Sequence, residues 1–156
     1  MFSKQASSQL KKEFWTAFGL YMKPVPFAEG EKNNWINYKT RQKHIAFRMD
    51  ATNEEAVVAI EISHSDTGIQ QLYFEQFLEM KTMMAEAIGE GWEWLLHTTN
   101  ETGQTISRIF ISIGNVNVFN KADWPALISF FKKHMIALDT FWSEVKYAFE
   151  TMRQEL

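Results

Sequence analysis

The spacing of hydrophobic and polar residues changes several times along this 156-residue chain, and each change predicts a new element. Residues 5–22 repeat apolar side chains every three to four positions, which predicts a helix that ends at Pro24. A polar loop follows over residues 23–34. The next apolar segments are short, which favours strands. They are Trp35–Thr40, the alternating His44–Asp50 and the mostly apolar Ala56–Ser63.

Helical spacing returns in the second half. A capping-box pattern at Thr67 predicts a helix to about Ile88 that is apolar on two sides. A hairpin of Trp92–Thr98 and Gln104–Ile113 follows. From Trp124 onward the pattern predicts a last helix with a heptad seam. The seam is Trp124, Ile128, Phe131, Met135, Leu138, Trp142, Val145, Phe149 and Met152.

The order α-β-β-β-α-β-β-α predicts a single α+β domain over residues 1–156, with a mainly antiparallel five-stranded sheet covered by helices. The last seam would be roughly 43 Å long at about 1.5 Å per residue if the helix were unbroken. That length leaves open a kink, or a helix that projects. The seam has two interpretations: packing on the other helices, or a homodimer through residues 124–152.

Composition narrows the function classes. The absence of cysteine excludes disulfides, thiolate nucleophiles and cysteine-ligated zinc. The N-terminal stretch has no apolar region typical of a secretory signal, and no run reaches the roughly 20 apolar residues of a membrane helix. We therefore expect a cytoplasmic protein without a membrane partner. The net charge of −3 gives no dominant field for nucleic acid.

One segment departs from this overall charge. Residues 32–49 carry five basic residues and no acid, with aromatic residues among them. Basic and aromatic residues in alternation are typical of single-strand nucleic-acid binding. The alternative is a solvated sheet edge whose lysines prevent pairing. The nucleic-acid candidates are Trp35, Tyr38, Lys39, Arg41 and Lys43.

A polar sheet face is the second candidate site. If Thr52-Asn53 is the turn, Arg48 faces Val57 and His44 faces Glu61. The second hairpin adds polar residues on its matching face. Such a face is either a ligand pocket or a set of cross-strand salt bridges. The pocket candidates are His44, Arg48, Glu61, Glu93, His97 and Arg108.

Catalytic and metal motifs are absent from the pattern. In the restriction-endonuclease-like core, an acid on the second strand acts with an acid-x-Lys on the third. Here Asp50 is followed by Glu61-Ile62-Ser63, so a serine replaces the lysine, and the two carboxylates would lie roughly 17–20 Å apart. The sequence therefore favours such a core without its active site. No metal, cofactor or catalytic residue is predicted, since His44, Glu61, His64 and Asp66 lack a ligand spacing.

The segments NWINYKT, FRMD, AIEISH, FEQF, NVNVFN, DWPALISFF and ALDTFW resemble the bacterial domain-of-unknown-function family numbered 4268. The resemblance covers nearly the whole chain. The family's domain also occurs in longer proteins beside nuclease-like or DNA-associated regions. The resemblance therefore implies an accessory role in nucleic-acid processing or defence, and no catalytic residues.

Three hypotheses follow for the function. The first is a small cytoplasmic binding or interaction module, with a homodimer left open. The second is a nucleic-acid-associated accessory domain, an inactive relative of the nuclease fold. The third is an enzyme that uses the sheet face of His44, Arg48 and Glu61.

Overall fold

Helices lie on one face of an antiparallel sheet in the computed structural model, which describes residues 3–30 and 32–156. The helices are α1 (Lys4–Met22), α2 (Thr67–Glu79), α3 (Lys81–Ile88) and α4 (Trp124–Glu155). The strands are β1 (Ile45–Ala51), β2 (Glu55–Ile62), β3 (Glu93–Thr99) and β4 (Thr105–Gly114), in the sheet order β1-β2-β4-β3. Glu31, in the loop predicted over residues 23–34, lies outside the described residues.

The alternation of side chains along each strand separates a buried face from an outer face. Phe47 of β1, Ile60 of β2 and Ile109 of β4 are buried against the helices. Their neighbours Arg48 and Asp50 are exposed on the opposite face. Successive side chains on a strand point to opposite faces, so one face of this sheet builds the core and the other meets solvent. This confirms the α+β class.

Helix α4 covers the sheet as one unbroken helix of 32 residues. The middle of its heptad seam is buried within the chain itself, with Phe131, Met135, Leu138 and Phe149 almost wholly inaccessible. The Phe149 ring packs 4.5 Å from Phe77 of α2 between ring centres. These side chains are therefore not available to the homodimer that the pattern left open. The last helix is also not divided into two helices.

The predicted strand Trp35–Thr40 is not a strand, and the described residues form a four-stranded sheet instead of five strands. Two asparagines explain the difference. The Asn34 side chain accepts hydrogen bonds from the Ile36 and Asn37 N–H groups, and the Asn33 side chain accepts one from Lys39 N–H. Asparagine side chains that capture nearby N–H groups fold the backbone into turns. The segment therefore has no strand pairing.

The first hairpin turns one residue later than predicted. Thr52 N–H donates to Glu55 O at 2.9 Å, so Asn53 and Glu54 form the turn. Arg48 consequently pairs with Ala59 instead of Val57, and Ala46 pairs with Glu61. The partners shift by two positions. Because the side-chain period of a strand is two, every residue keeps its predicted face.

The helix predicted from Thr67 to about Ile88 is two helices. The break is at Met80, whose backbone leaves the helical conformation. The Met80 side chain makes no capping hydrogen bond at the start of α3. The first turn of α2 is capped by Asp66, whose carboxylate accepts hydrogen bonds from the Gly68 and Ile69 N–H groups. Thr67 is therefore not the capping residue. A carboxylate near a helix N-terminus also interacts favourably with the helix dipole.

A buried carboxylate on α4 holds the segment between α1 and β1. Asp139, which is 5% exposed, accepts from the Tyr38 hydroxyl at 2.5 Å and from Ala28 N–H at 2.7 Å. Three residues further along α4, Trp142 Nε1–H donates to Thr40 O at 2.9 Å. Buried polar groups need hydrogen-bond partners, and these three bonds supply them to α4 and to the segment between α1 and β1. The segment is thereby fixed over the end of the core.

Across residues 3–30 and 32–156, no helix combines the length and the apolar composition that crossing a membrane would require.

Replacing Asp139 with alanine should destabilise the chain by about 2–4 kcal/mol, because two donors lose a charged acceptor in a buried setting. Chemical denaturation measures the loss. Glu144→Ala on the exposed side of the same helix is the control and should change stability by less than about 0.5 kcal/mol. Equal losses for both variants would contradict an anchoring role for Asp139.

Stability should also fall at alkaline pH through Tyr38. Burial and, secondly, the hydrogen bond to Asp139 raise the pKa of the Tyr38 hydroxyl above its usual range. The folded state therefore keeps its proton where the unfolded state releases it. This contribution is complete below about pH 10 and is lost as the pH rises further. The free energy of unfolding, measured between about pH 9 and about pH 12, should decline less steeply for Tyr38→Phe than for the wild type.

Candidate functional site

The outer face of the sheet brings three of the six predicted pocket residues together. The Arg48 Nε lies 3.7 Å from Glu61 Oε1, and Arg108 pairs with Glu61 across β2 and β4. The Arg108 guanidinium lies 4.2 Å from the centre of the Phe110 ring. A shallow cavity of about 740 Å³ lies over these residues and Ala59. Its floor is a mixed-charge surface in which Arg48 forms an ion pair with Glu61.

The other three predicted residues do not line this cavity. Glu93 lies on the same face of β3, opposite Phe110, but beyond the cavity wall. His97 sits where the β3–β4 register shifts, with a backbone φ of 51°. Its Nε2 lies 3.0 Å from Thr67 O, so it contacts the helix-covered side. A β-bulge redirects the side chain that it carries, and this one removes His97 from the outer face. His44 precedes β1 and lines a different pocket, which is described below.

The predicted distance between the two nuclease-like carboxylates was too long, because the hairpin register was wrong by two. Asp50 pairs with Val57 and Glu61 pairs with Ala46, so four strand positions separate them, or about 13 Å. Asp50 instead lies 3.5 Å from Lys11 Nζ. In the part of the chain that the structure describes, no group of three or more His, Cys, Asp or Glu side chains could hold a metal ion.

A basic pocket lies at the opposite end of β1. The rings of His44 and His64 face each other with 4.2 Å between their centres. His64 Nδ1 accepts from Asp66 N–H at 3.0 Å, which leaves the His64 proton on Nε2. The pocket has a volume of about 400 Å³. It is lined by Arg41, Lys43, His44, His64, Ile69, Tyr73, Arg153 and Leu156.

The charged side chains that line this pocket are all basic. No Asp or Glu side chain is among the lining residues, whereas Lys43 and Arg153 are. Partial burial, and then the neighbouring His64 and Lys43, lower the pKa of His44 below its ordinary value. A histidine whose charge is suppressed by positive neighbours regains it when an anion arrives. The arrangement can therefore accept a phosphate or carboxylate through N–H donors and positive charge.

The nucleic-acid candidates divide between this pocket and the core. Trp35 is 5% exposed, stacks on Phe27 with ring centres 4.3 Å apart, and donates from Nε1 to Val25 O. Tyr38 stacks on Phe47 and is bonded to Asp139. Both rings already pack within the chain, and stacking of either ring on a base stays a prediction. The faces of both rings are in contact with other aromatic side chains of the chain.

The three basic candidates keep surface positions. Arg41 and Lys43 line the basic pocket, and Lys39 lies at a groove beside β1. Sequence reasoning missed the contributions of His64, Tyr73 and Arg153, which come from three other parts of the chain. The corrected hairpin register is the signal that could have found His64. Ser63 N–H donates to His44 O, so His64 must lie next to His44.

The fold and the site define an α+β protein with one bare sheet face and a basic pocket at the sheet end. The chain belongs to the family described as Domain of unknown function (DUF4268), which matches residues 10–146. The predicted family is thereby confirmed. No curated protein and no solved structure matches the chain. Its function must therefore be argued from the sites.

The lowered pKa of His44 gives a test of the pocket. We expect His44 to titrate below about pH 6.5, followed by its ring proton signals in NMR. Substituting His64→Ala removes a neighbouring imidazole that lowers the pKa of His44, and it should move this midpoint upward. Because the folded pKa lies below the unfolded one, stability from this group is present above about pH 6.5 and is lost as the pH falls. An unchanged midpoint in the variant would contradict the coupling of the two rings.

Proposed function

We propose that this chain is a binding module that recognises the phosphate groups of a nucleic acid through the basic pocket of Lys43, His44, His64 and Arg153. The observation that carries the proposal is the convergence of the cations Lys43 and Arg153 with two imidazole rings, with no acidic side chain in the lining. Overall the chain is acidic, with a net charge of −3. A local pocket is therefore needed to attract an anion to this surface.

The chemistry of the pocket suits a phosphate better than a base. Lys43 and Arg153 are exposed and supply positive charge. His64 offers its Nε2–H as a donor, and the Tyr73 ring forms part of the pocket wall. Trp35 and Tyr38, the aromatic candidates for stacking on a base, pack within the chain and do not line this pocket. We therefore expect contacts with the backbone or a terminal phosphate, without sequence preference.

The finer fold assignment, an inactive relative of the restriction-endonuclease-like fold, would fit this proposal. The succession of α1, β1 and β2 supports it, and the separation of Asp50 and Glu61 explains why such a relative would bind without cleaving. The absence of cysteine supports a cytoplasmic location. The outer face, which mixes acidic and basic side chains, gives no comparable support for an enzyme.

Binding to short single-stranded DNA, with and without a 5′ phosphate, tests the proposal by fluorescence anisotropy. We expect binding at low salt, with log affinity falling by about 0.7 per log unit of salt for each phosphate contact. Lys43→Ala and His64→Ala should each weaken binding roughly fivefold and reduce that slope. Affinity should rise as the pH falls below about 6.5, where His44 gains charge.

Lys12→Ala is the matched control, because Lys12 is an exposed lysine on α1 that lies outside the pocket. It should leave affinity unchanged. Competition by inorganic phosphate, together with tighter binding of the 5′-phosphorylated strand, would assign the pocket to a terminal phosphate. Equal binding of both strands would assign it to the backbone. The absence of binding at low salt, or equal effects of Lys12→Ala and Lys43→Ala, would refute the proposal.

A further inference from the structure

Strand β1 is an outer strand of the sheet, and its hydrogen-bonding direction can be assigned residue by residue. Ser63 N–H donates to His44 O, and Thr52 N–H donates to Glu55 O, each at 2.9 Å. In an antiparallel ladder, alternate residues direct both backbone groups toward the partner strand. The register between these two bonds is continuous, so even-numbered residues of β1 face β2. The odd-numbered residues direct their N–H and C=O groups outward.

The first outward residue is already satisfied within the chain. Ile45 N–H donates to Gln42 O at 3.2 Å, and Ile45 O accepts from the Thr40 hydroxyl at 2.6 Å. The next two, Phe47 and Met49, have no outward backbone partner among residues 3–30 and 32–156. Their N–H and C=O groups form a short template for another strand.

A groove of about 440 Å³ runs along this template. Trp15, Ile36 and Tyr38 give it an apolar wall on the helix-covered side of the sheet. The wall is held in place, since Tyr38 is bonded to Asp139 and stacks 5.1 Å from the Phe47 ring. Lys39 and Arg48 line the groove as well, and no acidic side chain does.

We infer that this edge binds an extended acidic peptide segment as a fifth strand of the sheet. The template offers four backbone groups, and alternate peptide residues would then face opposite sides. Peptide residues opposite Phe47 and Met49 would place apolar side chains against Trp15 and Tyr38. The residue between them would lie opposite Arg48, on the outer face. Arg48 is exposed and approaches Glu61 only through Nε, at 3.7 Å, so its other N–H donors favour an acidic side chain there.

A second copy of the chain fits the same edge poorly. Two antiparallel copies of β1 that exchange hydrogen bonds through Phe47 and Met49 would be centred on Arg48. The two Arg48 side chains would then lie directly opposite each other, and like charges in that position are unfavourable. Charge complementarity therefore selects the acidic peptide. This surface shares no lining residue with the basic pocket, so its test is independent of the proposed phosphate binding.

A short labelled peptide of alternating Glu and Val is the probe, measured by fluorescence anisotropy against the wild-type chain. Two N-methylated versions make the decisive comparison. Methylation of the valine nitrogens removes the N–H groups that would pair with Phe47 and Met49, and should weaken binding about tenfold or more. Methylation of the glutamate nitrogens alters the opposite edge of the peptide and should change affinity less than about threefold. Equal effects of the two methylations would overturn the inference.

A charge-reversal variant supplies a second measurement. Arg48 is exposed, so Arg48→Glu should fold, as its circular dichroism and unfolding would verify. It should weaken the Glu-Val peptide and strengthen a Lys-Val peptide, while DNA binding stays unchanged. No change in peptide preference would overturn the inference. A dimer of the chain alone in sedimentation, in competition with the peptide, would also overturn it by assigning the edge to a second copy.

Discussion

A sheet with helices on one face only imposes the main constraint on this molecule. Every strand must place its apolar side chains on that face, and one long helix must bury them over their whole extent. Helix α4 meets this need with side chains that reach from Leu127 to Phe149. The burial of this stripe explains the unbroken helix, because a kink would lift one half away from its partners. It also leaves the outer face polar.

The same helix organises the segment between α1 and β1. Asp139 draws Tyr38 toward the core, and Trp142 binds the Thr40 carbonyl. An acceptor that is buried and charged stabilises its partners only when they are well placed, so it also specifies one conformation of the segment. With the aromatic side of the segment held inward, its basic side is directed outward.

The outward basic residues then serve two different surfaces. Lys39 borders the groove beside β1, while Arg41 and Lys43 line the pocket with the paired histidines. Arg41 adopts a left-handed backbone, with φ of 63°, at the point between these two surfaces. A charge cluster that is continuous in sequence is thus divided in space. Recognition of a phosphate and recognition of an acidic peptide would both depend on how this one segment is anchored.

Local periodicity was sufficient to predict α1, α4, four strands and the face on which Arg48 and Glu61 lie. Period and burial are properties of neighbouring residues, and even a misplaced turn preserved the face because the register error was two. Two features depended on contacts between separate segments: the bulge at His97 and the meeting of His44 with His64. The strand at Trp35–Thr40 is lost first through the local turns of Asn33 and Asn34, and contacts with a distant helix then hold the segment in place. Tyr38 and Asp139 are 101 positions apart. The sequence alone therefore determined which segments are amphipathic, and whether each has the period of a helix or of a strand. Only the tertiary structure decided which polar groups find partners, since hydrogen bonds between distant segments compete with local pairing and leave no periodic trace.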